Sequence, residues 1–199
     1  MTNRVDTFDR ANGALIGSTP SDGGGVWSGN GTWNISSNCG LKSADFNTLQ
    51  FAWLESSAAN VDVSATINVD GNCGLAARVT DANNCIYGRV CLNNCIVYKW
   101  EAGTATQLGS TYVGTPTAGD VWVLSVSGDN IVLKQNGTAR VTTTSSFNNT
   151  ATKHGLGDFN ITGSWTTFSI TEITASGGLP NIAGKQMSGG FPDLSGGTS

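Results

Sequence analysis

The stretch from Asp120 to Thr144 constrains the fold most tightly. It reads as three strands joined by two tight turns. Asp120-Val-Trp-Val-Leu-Ser-Val-Ser127 leads into Gly128-Asp129, Asn130-Ile-Val-Leu-Lys-Gln135 leads into Asn136-Gly137, and Thr138 to Thr144 follows. Such turn pairs supply the positive φ angles that tight hairpins demand. In the first run Val121, Val123, Ser125 and Ser127 fall on one face and Trp122, Leu124 and Val126 on the other. A period of two marks strands with at least one buried face.

The rest of the chain repeats this signal at spacings of about ten residues, the pattern of a two-sheet sandwich. Val61 to Val69 alternates cleanly, and Leu49 to Leu54, Leu75 to Thr80 and Gln107 to Val113 read as further strands. Cys85 to Val90 and Ile96 to Glu101 read as a hairpin around Asn93-Asn94. Val26-Trp27-Ser28 and Thr32 to Ser36 read as another around Gly29-Asn-Gly31, with a Trp on each arm. Lys153 to Gly157 is expected to be a bend or short strand. The closing run, within the meander's partner stretch Gly155 to Thr174, is expected to place Trp165, Thr167, Ser169, Thr171 and Ile173 on one face and Thr166, Phe168, Ile170 and Glu172 on the other. No helical period of any length is present. Residues 1–175 are therefore expected to form one all-β domain, a two-sheet antiparallel sandwich, and residues 176–199 an extended Gly-rich C-terminal arm.

Composition excludes several function classes. A net charge of −4 and no basic window argue against a nucleic-acid binder, which clusters Lys and Arg. No apolar run approaches the ~18 residues of a membrane helix. Met1 to Asp6 has no apolar signal-peptide core, so synthesis and folding in a cytosol are expected. The five cysteines, Cys39, Cys73, Cys85, Cys91 and Cys95, have no zinc-site spacing. Their first reading is as small buried hydrophobes. The second is a disulfide, with Cys91 and Cys95 facing each other across a hairpin mouth.

Catalytic constellations are missing. Glycoside hydrolysis needs two carboxylates flanking one bond. Glu55, Glu101 and Glu172 each stand without an acidic residue two or four positions away. His154 is the single histidine, with no nucleophile elbow in the chain, and is expected to be an ordinary surface or loop residue. No cofactor is expected. Calcium is a minor alternative, on the oxygens of Asp81, Asn83 and Asn84. Sugar binding needs an aromatic platform with nearby amides or carboxylates. The candidates are Trp27, Trp33, Trp100 and Tyr112, with Asn30 and Asp81 in adjacent loops. For each Trp the competing reading is core, because burying one contributes a few kcal/mol.

The opening Asp6-Thr-Phe-Asp-Arg-Ala-Asn-Gly-Ala-Leu15, followed by Val26-Trp-Ser-Gly-Asn-Gly-Thr-Trp-Asn-Ile-Ser-Ser-Asn38, resembles the start of a laminin-G-like, concanavalin A-like jelly-roll domain. Ala76 to Asn83, Tyr87 to Val90, Val97 to Trp100, Gly103 to Gly109 and the meander continue the resemblance from about Asp6 to Ala175. Such domains recur in bacterial surface proteins and bacteriophage structural proteins.

The resemblance implies a jelly-roll sandwich and a first functional expectation. This is a non-enzymatic bacteriophage virion protein, a capsid decoration or cement protein made in the host cytoplasm. Its partners would be the major capsid protein or other virion subunits, with several copies in the assembly. The arm would supply the contacts through the spaced apolar residues Leu179, Ile182, Met187, Phe191 and Leu194, although a Gly-rich tail also reads as a plain linker. The alternative expectation is a carbohydrate-binding or adhesin module of a tail fibre or cell-surface protein.

Overall fold

The computed structural model describes residues 3–44, 47–91, 93–159 and 163–174. Within them the chain forms β1 (Arg4–Asp6), β2 (Gly13–Ala14), β3 (Ser28–Gly29), β4 (Trp33–Ser36), β5 (Cys39–Lys42), β6 (Gln50–Glu55), β7 (Val61–Val69) and β8 (Cys73–Asp81). There follow β9 (Asn84–Val90), β10 (Cys95–Glu101), β11 (Thr104–Tyr112), β12 (Val121–Ser127), β13 (Asn130–Gln135), β14 (Thr138–Thr144), β15 (Lys153–Asp158) and β16 (Ser164–Glu172). The described residues include no helix. Residues 176–199, with Leu179, Ile182, Met187, Phe191 and Leu194, lie outside them.

The strands pair antiparallel into two sheets. A nine-stranded sheet runs β14-β13-β12-β7-β16-β5-β4-β2, with β1 also paired to β16. A seven-stranded sheet runs β11-β10-β9-β8-β15-β6-β3. The molecule is the expected jelly-roll β-sandwich. The meander forms as its turn chemistry requires: Ser127 pairs with Asn130 and Gln135 with Thr138, and the turns use positive φ at Gly128, Asn136 and Gly137.

Between the sheets Trp122, Leu124, Val126, Ile131, Leu133 and the alternate residues of β7 meet Leu54, Leu75, Ile86, Val90, Val97 and Leu156. Burial of this apolar surface is the main stabilising term, roughly 25 cal/mol per Å² removed from water.

The Asp6–Phe8–Arg10 pattern has a structural role. The buried Asp6 carboxylate accepts from the Phe8 amide at 2.9 Å, from Arg10 Nη1 and Nη2 at 2.5 and 2.9 Å, and from Trp27 Nε1 at 2.7 Å. Phe8 takes a positive φ of 53° and turns its ring into the core, against Gly40.

Three local expectations are corrected. The two Trp-bearing strands are not a hairpin: β3 pairs with β6 in one sheet and β4 with β5 and β2 in the other, so Gly29 to Gly31 crosses between layers. Trp165 lies in the core with Phe168 and Ile170, because register shifts at Ser164/Trp165 and Trp165/Thr167 break the period of two. His154 is fully buried in β15. Its Nδ1 accepts the Arg78 amide at 3.2 Å, which leaves Nε2 to donate to the Ala58 carbonyl at 2.8 Å.

Candidate functional site

An antiparallel sheet in a sandwich commonly has one face on the core and one in water. The seven-stranded sheet departs from this. In β9 and β10, Ile86, Val90, Cys95 and Val97 point into the sandwich. Side-chain alternation then puts Cys85, Tyr87, Arg89, Tyr98 and Trp100 on the outer face. There a second apolar cluster forms from Phe51, Ala76, Val79, Cys85 and Tyr87, with Leu49, Trp53, Tyr98 and Trp100 packed around it.

Strand register explains its shape. Tyr87 stands opposite Tyr98 and Cys85 opposite Trp100. On the other side Tyr87 pairs with Ala76, Ala76 with Gly155, and Gly155 with Trp53. The neighbouring row runs Arg89, Gly74, Gly157, Phe51. Gly74, Ala76, Gly155 and Gly157 thus leave a trough across the centre of the sheet. The Tyr87 ring lies in it: a Cβ at Gly74 or Gly157 would come within 2.8 or 2.7 Å of Tyr87 Cε2. Phe51 closes the far side, edge-on to Tyr87 with centroids 5.6 Å apart.

A pocket of about 210 Å³ opens over this face. Tyr98 and Trp100 line it from β10 and Tyr87 and Arg89 from β9. Leu49, Asn72, Ala105 and Phe159 complete its wall. Tyr98 and Trp100 are half-buried, so apolar ring surface remains open to a ligand.

Three polar groups meet this surface. The Tyr87 hydroxyl is buried and has no hydrogen-bond partner among the described residues, nor has Asn72 Oδ1. Burial, with Asp158 and Cys73 adding to it, pushes the Tyr87 phenol well above its ordinary pKa, so it stays an O–H donor. Arg89 donates through Nε and Nη2 to the Asn94 carbonyl at 3.4 and 3.3 Å, and its guanidinium sits 5.8 Å from the centre of the Tyr98 ring. Among the described residues the lining contains no Asp or Glu.

Of the four aromatic candidates, Trp100 alone lines the pocket. Trp27 and Trp33 are 1% and 2% exposed and belong to the core, which removes them as sugar platforms. Tyr112 packs at the edge of the core, with Arg140 4.7 Å from its ring centre and its hydroxyl 3.5 Å from Gln135 Oε1. Asn30 Oδ1 accepts the Phe51 amide, and Asp81 accepts from the Asn83 amide and the Asn84 side chain. Asn30 therefore ties the Gly29 to Gly31 segment to β6, and Asp81 fastens its own turn.

Of the oxygens considered for calcium, those bonds occupy Asp81's and the Ala102 amide donates to Asn84 Oδ1 at 3.0 Å, and the described residues contain no group of three or more acidic, His or Cys side chains placed to hold a metal. Cys91 and Cys95 are not bridged; the Cys95 thiol donates to the Cys91 carbonyl at 3.5 Å. Cys39, Cys73, Cys85 and Cys95 are buried, as the first reading expected of all five, while Cys91 is only half-buried. Tyr98, Tyr87, Arg89 and Asn72 escaped the sequence reading. The alternation of Tyr87 with Arg89 and of Tyr98 with Trp100, either side of the Asn93-Asn94 turn, was the local sign of them.

No family model and no curated protein matches the chain. Among solved structures it is similar to the carbohydrate binding module CBM66 from Bacillus subtilis, with a TM-score of 0.52 and 16% identity over 73% of this chain and 92% of that one. It is also similar to the VIP36 exoplasmic/lumenal domain in a Ca²⁺/Man-bound form, with a TM-score of 0.55 and 9% identity over 83% and 92%. A third likeness, to a candidate glycosyl hydrolase from Parabacteroides distasonis ATCC 8503, has a TM-score of 0.50 and 8% identity over 74% and 89%. At these identities the likeness is one of fold: the chain is a jelly-roll β-sandwich.

Proposed function

We propose that this chain is a non-enzymatic carbohydrate-binding module whose site is the pocket on the outer face of the seven-stranded sheet. The observation that carries the reading is an apolar outer face on a sheet already buried on its inner side, with half-open Tyr98 and Trp100 beside polar atoms that lack partners. A sugar ring offers what such a site needs. Its C–H face packs on an aromatic ring, and its hydroxyls supply both donors and acceptors. At about 210 Å³ the pocket is below the ~300–1,000 Å³ of sites for drug-sized ligands, so it suits one ring of a longer chain.

The reading agrees with what the fold neighbours are called, one a carbohydrate binding module and another solved with mannose. Binding is favoured over hydrolysis because the described residues of the pocket wall include no carboxylate pair. Attachment to a virion through residues 176–199 is a separate proposal, and nothing in the described residues favours it.

The test is a glycan array probed with the intact chain and with Trp100→Ala. The reading expects saturable binding to at least one glycan and its loss in the variant. A clean negative array, or binding that Trp100→Ala leaves unchanged, would overturn it.

A further inference from the structure

Among the described residues the pocket wall has one charged group, and the arrangement around that group specifies more than a generic sugar. Arg89 is half-buried, and no carboxylate among the described residues lies within ion-pairing distance of it. The guanidinium is nevertheless held in place. Two of its nitrogens bond a single backbone carbonyl, Asn94 O, at long distances, and its plane is steadied by the Tyr98 ring. Among the described residues Nη1 has no bond at all. A half-buried cation whose protein partners are a neutral carbonyl and a ring, and whose Nη1 is open to solvent, can take an anionic ligand.

Beside it stands the Tyr87 hydroxyl, buried, protonated and without a partner. Asn72 Oδ1, also buried and without a partner, is an acceptor. The three groups form an asymmetric set: two donors, one of them cationic, and one acceptor. A neutral sugar hydroxyl would leave the cation uncompensated. A planar carboxylate can take the guanidinium fork on two oxygens, with the phenol as a further donor, while a ring hydroxyl donates to Asn72.

We infer that the pocket selects a uronic acid residue, with Arg89 as the carboxylate receptor, Tyr87 and Asn72 as the groups that orient the ring, and Trp100 as its stacking surface. This rests on the glycan reading above and narrows it to acidic polysaccharides.

The experiment compares oligosaccharides of glucuronate, galacturonate and mannuronate with their own methyl esters, by calorimetric titration of the full chain. Esterification removes the charge and leaves the ring. At least one acid should bind 10-fold or more tighter than its ester. Arg89→Gln should erase that preference, so that acid and ester bind alike, and Trp100→Ala should weaken both. Equal binding of acid and ester by the unaltered protein overturns the inference whether or not the Arg89 variant folds. Binding of neutral glycans with none of the acids also overturns it and leaves the glycan reading standing. No saturable binding of acids, esters or neutral glycans overturns both.

Discussion

The Tyr87 ring stands edge-on to Phe51, at an interplanar angle of 82°, and fills the space that a side chain on Gly157 would need. The floor of the pocket therefore depends on a residue that has no side chain. Gly157 is outside the left-handed φ region, so alanine there meets a steric obstacle and not a backbone one. Gly157→Ala should cost about 1–3 kcal/mol in urea unfolding, the usual range for overpacking. It should also reduce ligand affinity, because Tyr87 must move. A variant with unchanged stability and affinity would show that the ring does not rest there.

Asp6 supports a different part of the sandwich. Its carboxylate collects the Trp27 indole, the Phe8 amide and the Arg10 guanidinium. Asp6→Ala orphans the first two and leaves Arg10 with its bond to Ser18 Oγ. The expected loss is about 3 kcal/mol, at the low end for breaking a buried charge pair, because Arg10 is 26% exposed and can turn to water. Since β1 lies in the opposite sheet, variant protein that folds should keep its ligand affinity. Denaturant midpoints and titration of the same sample check both halves.

His154 gives the fold an acid limit. Burial is the main cause that pushes its pKa down to about 4, with Arg78 adding to it and the Ala58 carbonyl and Glu55 opposing. The folded state holds the ring neutral while the unfolded chain takes a proton near pH 6.5. Between those values the unfolded state binds more protons, so stability is full above about pH 6.5 and falls as pH drops toward 4. From pH 6.5 to 5 the loss should be about 2 kcal/mol, at 1.36 kcal/mol per pH unit. Glu55 and Asp120, whose pKa values are lowered, contribute only at lower pH. A urea midpoint constant from pH 7 to 5 would contradict the buried neutral histidine.

Much of the sandwich was legible because its information is local. The turns at Gly128-Asp129 and Asn136-Gly137, and the alternation from Val121 to Ser127, each need only a few consecutive residues. What misled was non-local. Trp165 alternates with Thr167 in sequence, but bulges against β7 turn it inward. Trp27 precedes the two-residue β3 and Trp33 opens the four-residue β4, both too short to show a face, and pairing to different sheets decides their burial. His154 looked like a loop residue because Gly155 follows it. In the fold Gly155 packs against the β6 backbone at Ala52 and Trp53. The site combines Asn72, Tyr87, Arg89, Trp100 and Phe159 from separate parts of the chain, and only Trp100 carried a signal strong enough to name in advance.

The tryptophans provide the most direct test. Trp27, Trp33, Trp122 and Trp165 are buried, while Trp53 and Trp100 are half-buried on the outer face, and Trp100 alone lines the pocket. The measurement is a ¹H–¹⁵N NMR titration of the indole resonances with the best glycan from the array. The account predicts a saturable shift of the Trp100 indole together with the backbone amides of Arg89 and Tyr98, while the four core indoles stay in place. Saturable shifts confined to the nine-stranded sheet, or a Trp100 indole that does not respond to a glycan that binds, would contradict it.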